Sequence, residues 1–70
     1  DLPVPVLTER EDQVLRLVHA GKTNREIGAV LGLAVKTVTT HRGTLMRKLR
    51  VHNVVQLLTE ATRIGLLKSN

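Results

Sequence analysis

The sequence predicts an all-α fold of four short helices, and three observations support it. Thr8, Thr23 and Asn53 each stand three residues before a Glu or Gln, at Glu11, Glu26 and Gln56. That is the spacing of a capping box, in which the cap side chain and the third helical residue satisfy each other's free amides. Between these caps apolar residues recur at intervals of three and four, the period of a helix rather than of a strand. Gly21, Gly32 and Gly65 then stand where three of the segments stop, glycine being the residue that most easily takes the left-handed turn at a helix end.

The first helix is expected over about 9–20. Glu9, Glu11 and Asp12 suit the positive end of its dipole, and Val14, Leu15, Leu17 and Val18 supply its apolar face. A second helix over about 24–31 carries Ile27, Val30 and Leu31. At two turns it is too short to persist on propensity and depends on packing. The third runs over about 35–50, with Val38, His41, Leu45 and Leu49 on one face and Lys36, Thr40, Gly43 and Arg47 on the other. Successive residues advance by about 100°, which places those two sets on opposite sides. The fourth, over about 54–65, has Val54, Leu57, Ala61 and Ile64 on one stripe. Residues 1–6, with Pro3 and Pro5, suit an extended linker end. Residues 7–67 form the domain and 68–70 a tail.

Seventy residues allow one small domain, which buries only about 60% of the surface of its unfolded chain. Phe, Tyr and Trp are absent, so the core must be aliphatic. Cys is absent too, which removes disulfides, thiolate metal ligands and a thiol nucleophile. His19, His41 and His52 lack the spacing of a helix-borne metal site, and no metal or other cofactor is expected. No carboxylate accompanies the basic third helix, so an enzyme is not expected either. No apolar run reaches the roughly 18 residues of a membrane span. The chain opens on Asp1 without an initiating Met, as a piece of a longer or processed protein would.

The net charge of +5 is unevenly placed. Residues 1–33 hold four cations against five acids, and residues 34–70 hold seven cations against one acid. Five of the cations fall within 35–50, where there is no acid at all. Two helices joined by the Gly32-Leu33-Ala34 turn, the second basic on its open face, follow the logic of a helix-turn-helix. Residues on that face suit a DNA groove. Lys36 can donate to guanine, Thr39 and Thr40 each offer a hydroxyl and a methyl, and Gly43 allows close approach.

Several linked motifs also resemble the LuxR/NarL/FixJ family. They are Leu7-Thr8-Glu9-Arg10-Glu11 with Val14-Leu15, Gly21-Lys22-Thr23-Asn24-Arg25-Glu26-Ile27, Lys36-Thr37-Val38-Thr39-Thr40-His41 and Arg47-Lys48-Leu49. The resemblance spans residues 7–67. It implies a four-helix DNA-binding domain at the C-terminus of a cytoplasmic bacterial transcription regulator. His41-Arg42-Gly43 and Met46 lean toward the response-regulator branch, in which a phosphoacceptor receiver domain and a linker precede this domain. By the family pattern, base contacts fall to Lys36, Thr39 and Thr40, with Gly43 one turn further. Backbone contacts fall to Thr37, Arg47 and Lys48, with Thr23 and Arg25 as weaker candidates. Thr39 stands where Lys is frequent, and Ala34 where Ser is common as the cap of the third helix.

Two features carry alternatives. Arg42 lies about 40° from Val38, so its stem can pack while its head reaches a phosphate. Val55, Leu58 and Thr62 make a second strip on the fourth helix, either plain exposed surface or a contact between two copies. The resemblance favours a homodimer on DNA. A module docking an acidic protein is the rival from another class, and a quorum-sensing receptor the rival within the same one. Single-stranded RNA fits poorly, because no aromatic side chain is present to stack on a base.

Overall fold

Four α-helices account for the regular structure of residues 4–68, the part described by a computed structural model: α1 (Glu9–His19), α2 (Asn24–Leu31), α3 (Val35–Leu49) and α4 (Val54–Arg63). No strand occurs among these residues. Residues 1–3 of the expected linker end and 69–70 of the expected tail lie outside them, and Val4–Val6 carry no regular secondary structure.

The caps form largely as their spacing implies. The Thr8 hydroxyl accepts from the Glu11 amide at 3.1 Å while the Thr8 amide donates to Glu11 Oε1 at 2.9 Å. Thr23 and Glu26 repeat the exchange at 3.2 and 2.9 Å. At α4 only half of it is kept. Asn53 Oδ1 accepts from the Gln56 amide at 2.9 Å, but Gln56 Oε1 reaches past the cap to the His52 amide at 2.8 Å. Ala34 starts α3 with no side-chain bond, as its methyl dictates.

Gly21, Gly32 and Gly65 take positive φ at the stops of α1, α2 and α4. The stop of α3 carried no glycine signal. Arg50 fills it in the left-handed region, φ 58°, with its amide donating to the Arg47 carbonyl and the Val51 amide to that of Met46.

The core is aliphatic. Val14, Leu15, Ile27, Val38, Leu45, Leu57 and Ala61 are fully buried, and Leu67 closes the cluster beyond the end of α4. α3 is the central element and packs against each of the other three helices. One assignment needs correction. Val30, placed on the apolar face of α2, is 62% exposed, and Ile27 holds that face with Leu31 half-buried. The short helix has room for one large inward side chain, beside the buried Gly28, because the turn folds back over its end. Gly28 permits this: its carbonyl accepts from the Leu33 amide at 2.9 Å, and a Cβ there would lie 2.5 Å from the Leu33 carbonyl oxygen.

A buried charge ties α1 to α3. The Glu11 side chain accepts from Lys48 Nζ at 2.6 Å, and the same amine donates to the Val6 carbonyl at 3.1 Å. Glu11 is the one buried charged residue of the domain's described part, at 4% exposure. Burial pushes its pKa up, but the Lys48 hydrogen bond and charge, together with the Thr8 amide, outweigh that and hold it below the ordinary value of 4.5.

Candidate nucleic-acid interface

The candidate surface is the outer face of α3. Val38, Leu45 and Leu49 turn inward and are buried, so the residues half a turn away must face solvent. Lys36, Thr37, Thr39, Thr40 and Arg47 are all exposed, Gly43 is half-covered, and no acid interrupts them along the helix. Among the described residues no salt bridge or hydrogen bond involves the Lys36 amine. Arg47 bonds only to the Thr44 hydroxyl one turn back, at 3.2 Å. Both cations are therefore free of any carboxylate.

Three expected site residues sit differently from the rest. Lys48, expected at the phosphates, is turned about 100° from Arg47. That rotation aims it at α1, where Glu11 and the Val6 carbonyl engage its amine. Its charge is matched by a buried carboxylate, while the residue itself stays exposed on α3. Thr23 is exposed but its hydroxyl oxygen serves as the cap of α2. Thr62, expected on the outer strip of α4, is half-buried and donates to the Leu58 carbonyl at 2.8 Å. Of that strip Val55 is 75% exposed, whereas Leu58 is half-buried against the core. Arg25 is exposed on the first turn of α2.

The two exposed threonines Thr39 and Thr40 also differ from each other. Both hydroxyls donate to the carbonyl four residues back, Thr39 to Val35 and Thr40 to Lys36, each at 3.1 Å. Only Thr39 is engaged a second time, by Asn24 Nδ2 at 3.4 Å. The other end of that amide, Asn24 Oδ1, accepts from Arg42 Nη1. Asn24 thus links the first residue of α2 to two positions on α3. It lies within the Gly21–Ile27 motif, but nothing in that motif gave it a role, since Asn at the first helical position reads as an ordinary polar start. The link to Arg42 resolves that residue's placing: it is half-buried, its stem on the rim and its head held at the N-terminus of α2.

No described helix is long and apolar enough to cross a membrane. Two helices joined by a tight turn, the second presenting a cationic face with no acid, define a helix-turn-helix DNA-binding domain. Residues 5–61 match the bacterial regulatory proteins of the luxR family, and the chain belongs to that family. It is 49% identical over 59 residues to YgeK of Escherichia coli, described as an uncharacterized response regulatory protein, covering 84% of this chain and 40% of YgeK. It is 44% identical over 62 residues to the transcriptional regulatory protein LiaR of Bacillus subtilis, covering 89% of this chain and 29% of LiaR. The chain thus spans less than half the length of these relatives. Among solved structures, the transcription factor GerE superposes with a TM-score of 0.82 at 31% identity, covering 89% of this chain and 92% of GerE. A ligand and DNA complex of VqmA from Vibrio cholera superposes with a TM-score of 0.86 at 30% identity, over 100% of this chain and 31% of VqmA.

Proposed function

We propose that α3 enters the major groove of duplex DNA as the recognition helix of a bacterial transcription regulator. The acid-free run of exposed Lys36, Thr40 and Arg47 with half-covered Gly43, on the helix that the other three hold in place, carries this proposal. Lys36, Thr39 and Thr40 contact base edges, and Gly43 lets the groove wall come close. Thr37 and Arg47 sit beside the phosphates, with Arg42, Thr23 and Arg25 at the start of α2 completing the backbone contacts. Lys48 acts indirectly, by holding α3 against α1. Two copies pair through α4 about the exposed Val55 and place their α3 helices in successive major grooves, about one helical turn apart.

The likeness to proteins named as response regulators, each much longer than this chain, supports an upstream receiver domain and a cytoplasmic, two-component setting. The match to a family of bacterial regulatory proteins supports a binding role rather than a catalytic one. Duplex binding measured against salt tests the proposal. Affinity is expected to fall by about 0.9 log units per log unit of salt for each phosphate contacted. A flat salt response would overturn it. In a selection from randomised duplexes, Lys36→Ala is expected to relax preference at one base pair, whereas Arg47→Ala weakens all sequences alike.

A further inference from the structure

We infer that Asn24, on α2, is a specificity-positioning residue that turns two adjacent threonines of α3 into chemically different readers. The inference rests on the proposal that α3 faces the bases. A threonine in a helix has two accessible rotamers, because its hydroxyl can bond the carbonyl of the preceding turn. Thr39 and Thr40 both make that bond, so neither hydroxyl hydrogen is free. Their oxygens differ. The Thr39 oxygen also accepts from Asn24 Nδ2, whereas that of Thr40 has no donor among the described residues.

The orientation of the Asn24 amide is set from its other end. Arg42 can only donate, so the atom facing it is the oxygen and the atom facing Thr39 is the nitrogen. Thr39 is thereby held in one rotamer with its hydroxyl hydrogen and one of its two lone pairs engaged, which leaves the methyl as its most open group. Thr40 keeps an accepting oxygen as well as its methyl. A methyl discriminates by contact with the thymine methyl, and an accepting oxygen by the exocyclic amine of adenine or cytosine. The same asparagine holds the Arg42 guanidinium at the start of α2. No acid pairs with Arg42 among the described residues, so its charge remains available to a phosphate.

The test is selection of randomised duplexes by the 70-residue chain and four variants, with thermal melts alongside. Thr39→Val exchanges the hydroxyl held by Asn24 for a second methyl, so it is expected to alter preference at the Thr39 base pair without the loss of adenine or cytosine discrimination expected of Thr40→Val. Thr40→Val is expected to lose about fivefold discrimination at its base pair, the low end of a single mismatch. Asn24→Ala frees the Thr39 rotamer and is expected to flatten preference at the Thr39 base pair alone. It also lowers the salt slope by about 0.9, one phosphate. Thr23 caps α2, so the fold survives removal of the Asn24 side chain. Lys36→Ala serves as the control. An altered profile for Lys36→Ala with none for Asn24→Ala overturns the positioning role and leaves α3 as the reading helix. A melt lowered by Asn24→Ala with the profile intact, or the same loss of adenine or cytosine discrimination for Thr39→Val as for Thr40→Val, overturns it equally. An unchanged profile in all four variants overturns the role of α3 itself.

Discussion

Replacing Lys48 by Met should unfasten α3 from α1 without touching the outer face of α3. In the native domain the Lys48 amine lies 2.6 Å from a Glu11 carboxylate whose side chain is only 6% exposed. Met fills a similar volume but leaves that carboxylate buried with the Thr8 amide and no cation. Breaking a fully buried pair from one side costs about 3–5 kcal/mol. The Lys48 side chain is itself 33% exposed, so solvent screens part of the pair and the expected loss is about 2–3 kcal/mol. A domain of this size is stable by roughly 4–10 kcal/mol, so the variant still folds and its loss is measurable. With no Trp or Tyr, urea unfolding has to be followed by helical circular dichroism.

The dependence on pH gives a second, sharper check. The pKa of native Glu11 lies below 4.5. Its contribution is therefore complete at pH values above 4.5 and is lost as pH falls through the lowered value. In Lys48→Met, burial acts on the carboxylate without the lysine to oppose it, so protonation relieves the variant. The destabilisation is thus largest near pH 7 and shrinks as pH falls toward 4. Adding Glu11→Gln, which keeps the capping bond to Thr8, should recover most of the loss. A loss below about 0.5 kcal/mol, or one that does not change with pH, would refute the buried-pair account. Unchanged stability with a reduced salt slope for DNA would return Lys48 to the phosphates.

Four further outcomes are expected. Arg50→Gly should raise stability by about 0.5–1 kcal/mol, because it removes a side chain from a left-handed position; a lowered melting temperature would contradict this. Gly43→Ala should also stabilise, by about 0.4–1 kcal/mol, since the nearest atom to a new Cβ is the mobile end of Arg47 at 3.7 Å. Gly43→Leu should lower duplex affinity about fivefold or more, roughly 1 kcal/mol, and unaltered affinity would argue against close approach of the groove. Val55→Glu should reduce cooperative occupation of a two-half-site duplex without shifting the melt, whereas Leu58 substitutions will disturb both; cooperativity that survives Val55→Glu places pairing of copies elsewhere.

What could be read before folding was local. A cap joins residues three apart, a glycine stop acts on its own φ, and a helical face repeats every three or four residues. Thr8, Thr23, Gly32 and the split of α3 into Val38/Leu45/Leu49 and Lys36/Thr40/Arg47 are therefore legible in the chain. So is the concentration of positive charge on one helix, which requires only counting. The stop at Arg50 was not legible, because a long cationic side chain carries no sign that its backbone is left-handed.

The tertiary structure decided what those surfaces do. Lys48 looked like its neighbour Arg47 until the packing of α1 against α3 brought Glu11, 37 positions away in the chain, to its amine. Asn24 acquired its part in the site from Thr39 and Arg42, which stand 15 and 18 positions further on. Such pairs depend on how far apart two helices lie and how each is rotated about its axis. Core side chains such as Leu15, Ile27 and Leu45 set both quantities when they close-pack. By itself the sequence determined four capped helices and one cationic face, because those follow from contacts within a turn. Which of the cations stay free for DNA, and which threonine keeps its oxygen, was decided only when the helices met.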